Sequence, residues 1–248
     1  MASVCPNDDS ATVMQKINLT ARFIDLLINA KVTNYKLIDQ RNIKDYIFTI
    51  TKDIRRCTLD ELKVKLKVHD DALNYNSADT INQFRLNQFT KKYIKNILAR
   101  ITSFIEDKTN DIPRYVEYIA SSKNAYEIEH IICDHFERFT DEFADKTEFD
   151  YWRNSIGALL LLRKSINSSL NDSDYTQKLV KYCSTDGNIY AASLGAQTYQ
   201  NNPRFKKFIT DNNLSFESFD KFGKAEIQKR INLIVQLVNL IWNTKEFQ

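Results

Sequence analysis

Glycine and proline are nearly absent from this chain. Four glycines and three prolines among 248 residues leave too few turn-formers for a fold of many strands, and they disfavour the glycine-rich loops that cradle nucleotide phosphates. Cysteine is equally scarce. Cys5, Cys57, Cys133 and Cys183 show no Cys-x-x-Cys spacing, so neither a zinc ribbon nor a disulfide framework is expected, and the thiols read as reduced and isolated. No apolar run approaches the roughly 20 residues that cross a bilayer, and the N-terminus lacks the basic-then-apolar pattern of a secretory signal. The expectation is a cytoplasmic protein with no membrane partner.

What the chain does have is 43% hydrophobic residues, enough for a buried core in one or two domains, and a pattern that is mostly helical. The net charge of +3 is too small to identify a nucleic-acid partner, but it is unevenly spread. Residues 1–110 carry 18 basic and 13 acidic side chains, whereas 111–248 carry 17 and 19. The acid is concentrated in residues 134–150, where seven carboxylates face only Arg138 and Lys146.

Apolar spacing predicts helices over about 10–30, 42–55, 59–67 and 79–107, behind a disordered polar leader at 1–9 and with Ser10 as the first N-cap. Thr58-Leu59-Asp60-Glu61 fits a capping box. In the longest helix Tyr93, Ile97, Ile101 and Ile105 recur every four residues, widened by Ile94 and Leu98. Its other face offers Lys91, Lys92 and Lys95, read either as a solvated face or as contacts to DNA phosphates. Pro113 stops the helical pattern, which predicts a helical, DNA-facing connector at 1–110 and a second domain at 111–248. A short helix at 114–123 is expected next, and later helices at about 174–184, 204–211 and 221–244. The last carries a packing stripe of Ile227, Ile231, Ile234, Val238 and Ile241.

Between these helices, Glu127-Ile128-Glu129-His130-Ile131 alternates acidic and apolar residues and predicts a half-buried strand over 126–132, with Glu129 and His130 at its tip. After the acidic stretch come Asn154, Gly157 and the run Leu159-Leu160-Leu161-Leu162, then Asn167, Asn171 and a segment with Lys178 and Tyr182: strand, loop, helix.

This ordered series resembles the ββα-metal core of His-Me finger (HNH) nucleases, in the version found in the C-terminal domain of GmrSD-type and SspE-like restriction and phage-defence endonucleases. The residues that carry the resemblance are Glu129-His130-Ile131, Asn154-x-x-Gly157, Leu159 to Leu162, Asn167, Asn171, Tyr175-x-x-Lys178 and Tyr182, with Ile227-x-x-Arg230-x-x-Leu233 and Ile241-Trp242 near the end. It implies a mainly α fold with an HNH core embedded in helices, and a metal-dependent DNA endonuclease that nicks or cuts both strands. Modified or phage DNA would be the substrate. His130 would activate water. Glu129 and the amide oxygen of Asn167 would hold one divalent cation, Mg²⁺ or Mn²⁺, that polarises the phosphate. Asn154 would support the base, and Asn167 and Asn171 would precede a helix whose N-terminal amides suit a phosphate. Lys178 would reach the DNA backbone, unless it is an ordinary surface lysine. The resemblance further implies an N-terminal nucleotide-hydrolysing domain or subunit that this chain lacks, since no Asp-Gly-Gln-Gln-Arg motif occurs.

Two departures stand out. Ala158 replaces the asparagine of the usual Gly-Asn-Leu, and Cys133 stands where the family has proline. Either Asn154 takes over the supporting bond, or the site is weakened. The second reading is therefore a catalytically weak or inactive helical adaptor with a degenerate HNH fold, favoured by Ala158 and by an acidic stretch that repels phosphates. Tyr182 and Trp242 read as packing residues rather than as platforms for bases, and Asn154-x-x-Gly157 reads equally as a turn in which the glycine allows positive φ. His135 is a weak candidate ligand, and His69 is incidental.

Overall fold

A computed structural model describes residues 2–36, 38–170, 172–184 and 188–247. Its contacts divide the chain into two units, Met1–Thr80 with Trp242–Gln248, and Ile81–Ile241. This is not the expected division near Pro113. The long lysine-bearing helix belongs to the second unit, because its buried stripe packs there.

In the first unit α1 (Ser10–Thr33), α2 (Gln40–Asp53) and α3 (Leu59–Leu73) close around Leu19, Phe23, Leu27, Ile50, Ile54, Leu62 and Leu66, joined by Phe247. Thr58 and Glu61 form the expected capping box. The residues before α1 are ordered rather than a loose leader: Ser3 is buried, and Asp8 takes the ammonium of the fully buried Lys16 at 2.6 Å. The cap of α1 is Asp9, whose carboxylate accepts from the Thr12 amide at 2.7 Å, not Ser10.

The expected helix at 79–107 is two helices, α4 (Ser77–Gln83) and α5 (Lys91–Lys108). Between them Asn87 and Thr90 bond each other's backbone amides, and such local side-chain bonds offer the chain an alternative to the helix. α5 buries Ile94, Ile97, Leu98, Ile101 and Ile105 and packs against α6 (Tyr115–Ile119), against the second strand and against the final helix. The turn at Pro113 is internal to this unit: Glu106 on α5 accepts from the Arg114 amide, Arg114 Nε and the Tyr118 hydroxyl.

β1 (Tyr126–His130) and β2 (Leu159–Arg163) pair antiparallel, with His130 opposite Leu159. Pairing continues for one bond, Ile131 N–H to the Ala158 carbonyl at 2.9 Å, and then the strand ends, two residues before its expected limit. The intervening acidic stretch forms a turn at Phe136–Arg138 and α7 (Lys146–Arg153), which the sequence pattern did not predict. Phe139 and Phe143 pack on Phe149 at 5.6 and 5.5 Å between ring centroids. This aromatic cluster orders the segment, and its Glu142 and Glu148 carboxylates bond Lys224 further along the chain.

Beyond β2 follow α8 (Lys164–Leu170), α9 (Tyr175–Tyr182), α10 (Ile189–Ala192), α11 (Ala196–Asn201), α12 (Pro203–Asp211) and α13 (Lys224–Ile241). The mainly α fold with a two-stranded core is as expected. α13 clamps the hairpin. Its buried Arg230 donates from Nε to the Gly157 carbonyl at 2.8 Å and lies 4.6 Å from the Tyr190 ring centroid. A Cβ on Gly157 would stand 2.6 Å from the Ile227 carbonyl oxygen. The glycine is needed for this close approach and not, as expected, for a positive φ, which no described glycine has. Gly157→Ala should therefore push α13 off the hairpin and destabilise the protein by about 1–3 kcal/mol, read as a lower midpoint in urea unfolding.

Candidate functional site

The site is built where β1 runs out. Adjacent strand residues point to opposite faces, so Glu129 and His130 diverge. Glu129 turns inward to α9. Its Oε1 accepts from Lys178 Nζ at 2.7 Å and from the Tyr182 hydroxyl at 3.2 Å, and the ammonium also donates to the His130 carbonyl at 2.7 Å. Glu129 is 7% exposed and Lys178 2%. The Tyr182 hydroxyl is pushed well above the usual tyrosine range, by burial first and then by the Glu129 charge.

His130 faces the other way, towards Asn154 at the end of α7. The Asn154 amide nitrogen donates to the Asp150 carbonyl at 2.8 Å, which leaves its Oδ1 facing His130 Nε2 at 3.1 Å. Because that oxygen can only accept, Nε2 carries the proton and Nδ1 keeps the lone pair. Burial, then the charge of Arg153, lower the His130 pKa to about 4, with Lys178 adding to the effect and the Asn154 bond opposing it. The imidazole is thus neutral at ordinary pH, with one nitrogen available as a base. Arg153 donates from Nε to the Ile132 carbonyl at 3.2 Å. On the far side of Asn154, its carbonyl accepts from the Leu86 amide at 2.7 Å, and Arg85 forms a bridge with Ser155.

Several expected roles change. Lys178 is not a surface contact to a DNA backbone, because it is sealed against Glu129. Glu129 in turn is neutralised by that ammonium. A divalent cation needs several oxygen donors unopposed by positive charge, and among the described residues no group of three or more His, Cys, Asp or Glu side chains is placed to hold one. As arranged, the residues do not fit Mg²⁺ or Mn²⁺. Asn167 does not precede a helix but lies within α8, half-buried, with no side-chain hydrogen bond to a described residue. Asn171 lies outside the described residues. The N-terminus of α9 is not open to a phosphate, since the Asp174 carboxylate caps it, accepting from the Gln177 amide at 2.9 Å.

His135 is held between Glu137 at 2.7 Å and Asp172 at 3.1 Å, and these carboxylates raise its pKa. Lys91 and Lys92 are exposed. Lys95 is half-buried, with its pKa lowered chiefly by burial. Tyr182 and Trp242 are buried, as packing residues. Nothing in the spacing of residues points to Arg153, whose one signal in the sequence is its place directly before Asn154. A cavity beside Ile131 and Cys133 is lined by Asp141, Glu142, Asp174 and Asp220 against Arg138 and Lys221, a balance unsuited to a phosphate.

The His130 pKa makes stability depend on pH with a definite sign. The folded value of about 4 lies below the ordinary 6.5, so between these limits the unfolded chain binds more protons. The contribution is complete above about pH 6.5 and is lost as pH falls to 4, on the order of 3 kcal/mol. Urea unfolding of the wild type and His130→Gln across this range should show the wild type losing that much more. Lys178→Met should cost about 3–5 kcal/mol in the same measurement, by leaving Glu129 buried without its partner.

The family model for GmrSD restriction endonucleases, C-terminal domain, matches residues 74–237, a span that contains both strands, His130, Asn154 and most of α13. No curated protein and no solved structure matches the chain. Among the described residues no helix is long and apolar enough to cross a membrane. With the hairpin, the helix that closes it and two thirds of its length inside that match, the chain belongs to the family of the C-terminal domain of GmrSD restriction endonucleases.

Proposed function

We propose that this chain is a DNA endonuclease module of a prokaryotic restriction or phage-defence system, acting in the cytoplasm, with His130 as the base that activates water. The observation that carries the reading is the hydrogen-bond chain from the Asp150 carbonyl through Asn154 to His130 Nε2. It fixes the tautomer and leaves Nδ1 as acceptor, the state a water-activating imidazole needs. Asn154 does the supporting work for which the family pattern uses the residue at 158. The Ala158 carbonyl still pairs with the Ile131 amide, so the substitution does not break the hairpin.

Water placed at Nδ1 attacks the phosphorus, its proton passes to the imidazole, and the bond to the departing oxygen breaks. Charge that builds on the phosphate meets the positive field at the end of β1. The family resemblance also implies one divalent cation, but Glu129 is committed to Lys178, and no step of this account runs through a metal. Lys91 and Lys92, at the start of α5, are proposed DNA-backbone contacts. Selection of modified or phage DNA is assigned to a nucleotide-hydrolysing domain or subunit outside this sequence.

The adaptor reading is favoured by one observation, the Asp134 carboxylate of the acidic stretch that acts on His130. Plasmid nicking separates the two. Wild type, assayed both without metal and with Mg²⁺ or Mn²⁺, should convert supercoiled to open-circular DNA, and His130→Ala should slow it by at least about 100-fold. DNA binding without nicking under any metal, and unchanged by His130→Ala, would instead establish the adaptor.

A further inference from the structure

We infer that Arg153 is a catalytic residue, the guanidinium that holds the non-bridging oxygens of the phosphate attacked at His130. The inference rests on the nuclease reading and extends it to a residue that the family resemblance does not assign.

Arg153 closes the last turn of α7, next to Asn154. The two side chains reach the same end of β1 by different routes. Asn154 bonds the His130 ring, and Arg153 Nε bonds the carbonyl two residues further on, Ile132, at 3.2 Å. The guanidinium charge is felt directly at the imidazole, being the largest electrostatic influence on His130 after burial.

Several other arginines and lysines of this unit are paired with acids. Lys178 is neutralised by Glu129, Arg114 by Glu106, Arg163 by Glu117 and Lys224 by Glu148. Arg153 forms no ion pair with any described carboxylate, and of its five N–H groups only Nε–H has a partner among the described residues. A half-buried guanidinium with two unused NH₂ groups presents the planar fork that fits two oxygens of a phosphate. Asp134, the carboxylate acting on His130, is exposed and lies 4.0 Å from Lys146.

This placement answers a requirement of the reaction. Water adds to phosphorus, its proton goes to His130 Nδ1, the bond to the departing oxygen breaks, and that oxygen takes a proton from solvent. Negative charge on the non-bridging oxygens peaks in between. A fixed cation beside the base stabilises it there without reorganising at the moment of reaction. Arg153 is held by Nε to the Ile132 carbonyl, two residues beyond the end of the strand that carries His130, so the guanidinium is anchored close to the base.

The decisive variant is Arg153→Gln, whose amide can still donate to the Ile132 carbonyl while the charge and the fork are lost. Nicking by this variant should fall about 100- to 1,000-fold in kcat/KM, with unfolding midpoint and circular dichroism as in wild type. Ethylguanidinium should restore at least tenfold of the loss in Arg153→Ala. A second measurement does not need turnover. Inorganic phosphate titrated into the wild type should shift the His130 ring resonances in an NMR spectrum, and the shift should vanish in Arg153→Gln. Nicking within threefold of wild type in Arg153→Gln overturns the inference and leaves the nuclease reading standing. So does a phosphate response that both proteins share. Absence of nicking in every protein, with an Arg153-dependent phosphate response, removes the nuclease reading and leaves the phosphate site.

Discussion

One ammonium group holds this site together. Lys178 Nζ touches the Glu129 carboxylate and the His130 carbonyl at the same 2.7 Å, so a single charge ties helix α9 to the last two residues of β1. A buried ion pair of this kind adds little net stability compared with apolar packing, but it is costly to break. Its value here is positional. The end of a short strand, which would otherwise fray, becomes a rigid support for an imidazole on the opposite face. The same commitment removes Lys178 and Glu129 from direct chemistry, since a lysine that neutralises a buried carboxylate cannot also reach out to DNA.

The opposite face is organised by the stretch that looked least promising. Residues 134–150 are rich in carboxylates, yet Phe139, Phe143 and Phe149 give the segment its own small core, and α7 ends by delivering Arg153 and Asn154 together. From Asp150 the order of command is short: a backbone carbonyl orients an amide, the amide sets which imidazole nitrogen carries the proton, and the other nitrogen keeps its lone pair. Burial and two nearby cations, Arg153 and Lys178, keep that ring neutral. The acidic stretch is therefore the scaffold that holds the His130 ring in place.

The long helices were legible because their apolar residues recur at helical spacing over many turns: the stripes of α5 and α13 are buried from Ile94 to Ile105 and from Ile227 to Val238, with Tyr93 and Ile241 at their ends half-buried. The strand carrying His130 was legible for the corresponding reason at period two. What failed was local. The helix predicted over 79–107 breaks because Asn87 and Thr90 bond the backbone between α4 and α5, an option that periodicity does not register. The domain division near Pro113 failed because a proline can end a helix without ending a domain, and Glu106 stitches the turn back onto α5.

The amino-acid sequence by itself determined the class of fold, the two strand segments, the pairing of His130 with Asn154 as site candidates, and the family, because these follow from periodicity and from ordered motifs along the chain. Only the tertiary structure decided which side chains are spent on one another. Lys178 lies 49 residues from Glu129, and Arg230 lies 73 from Gly157. Whether a charge at such a distance is a tool or a clamp depends on what the fold places within hydrogen-bond reach of it. That is why Lys178, expected to reach the DNA backbone, is instead a clamp on Glu129 and the His130 carbonyl, while Arg153, unremarked in the linear pattern, stands near His130 with no ion pair to a described carboxylate.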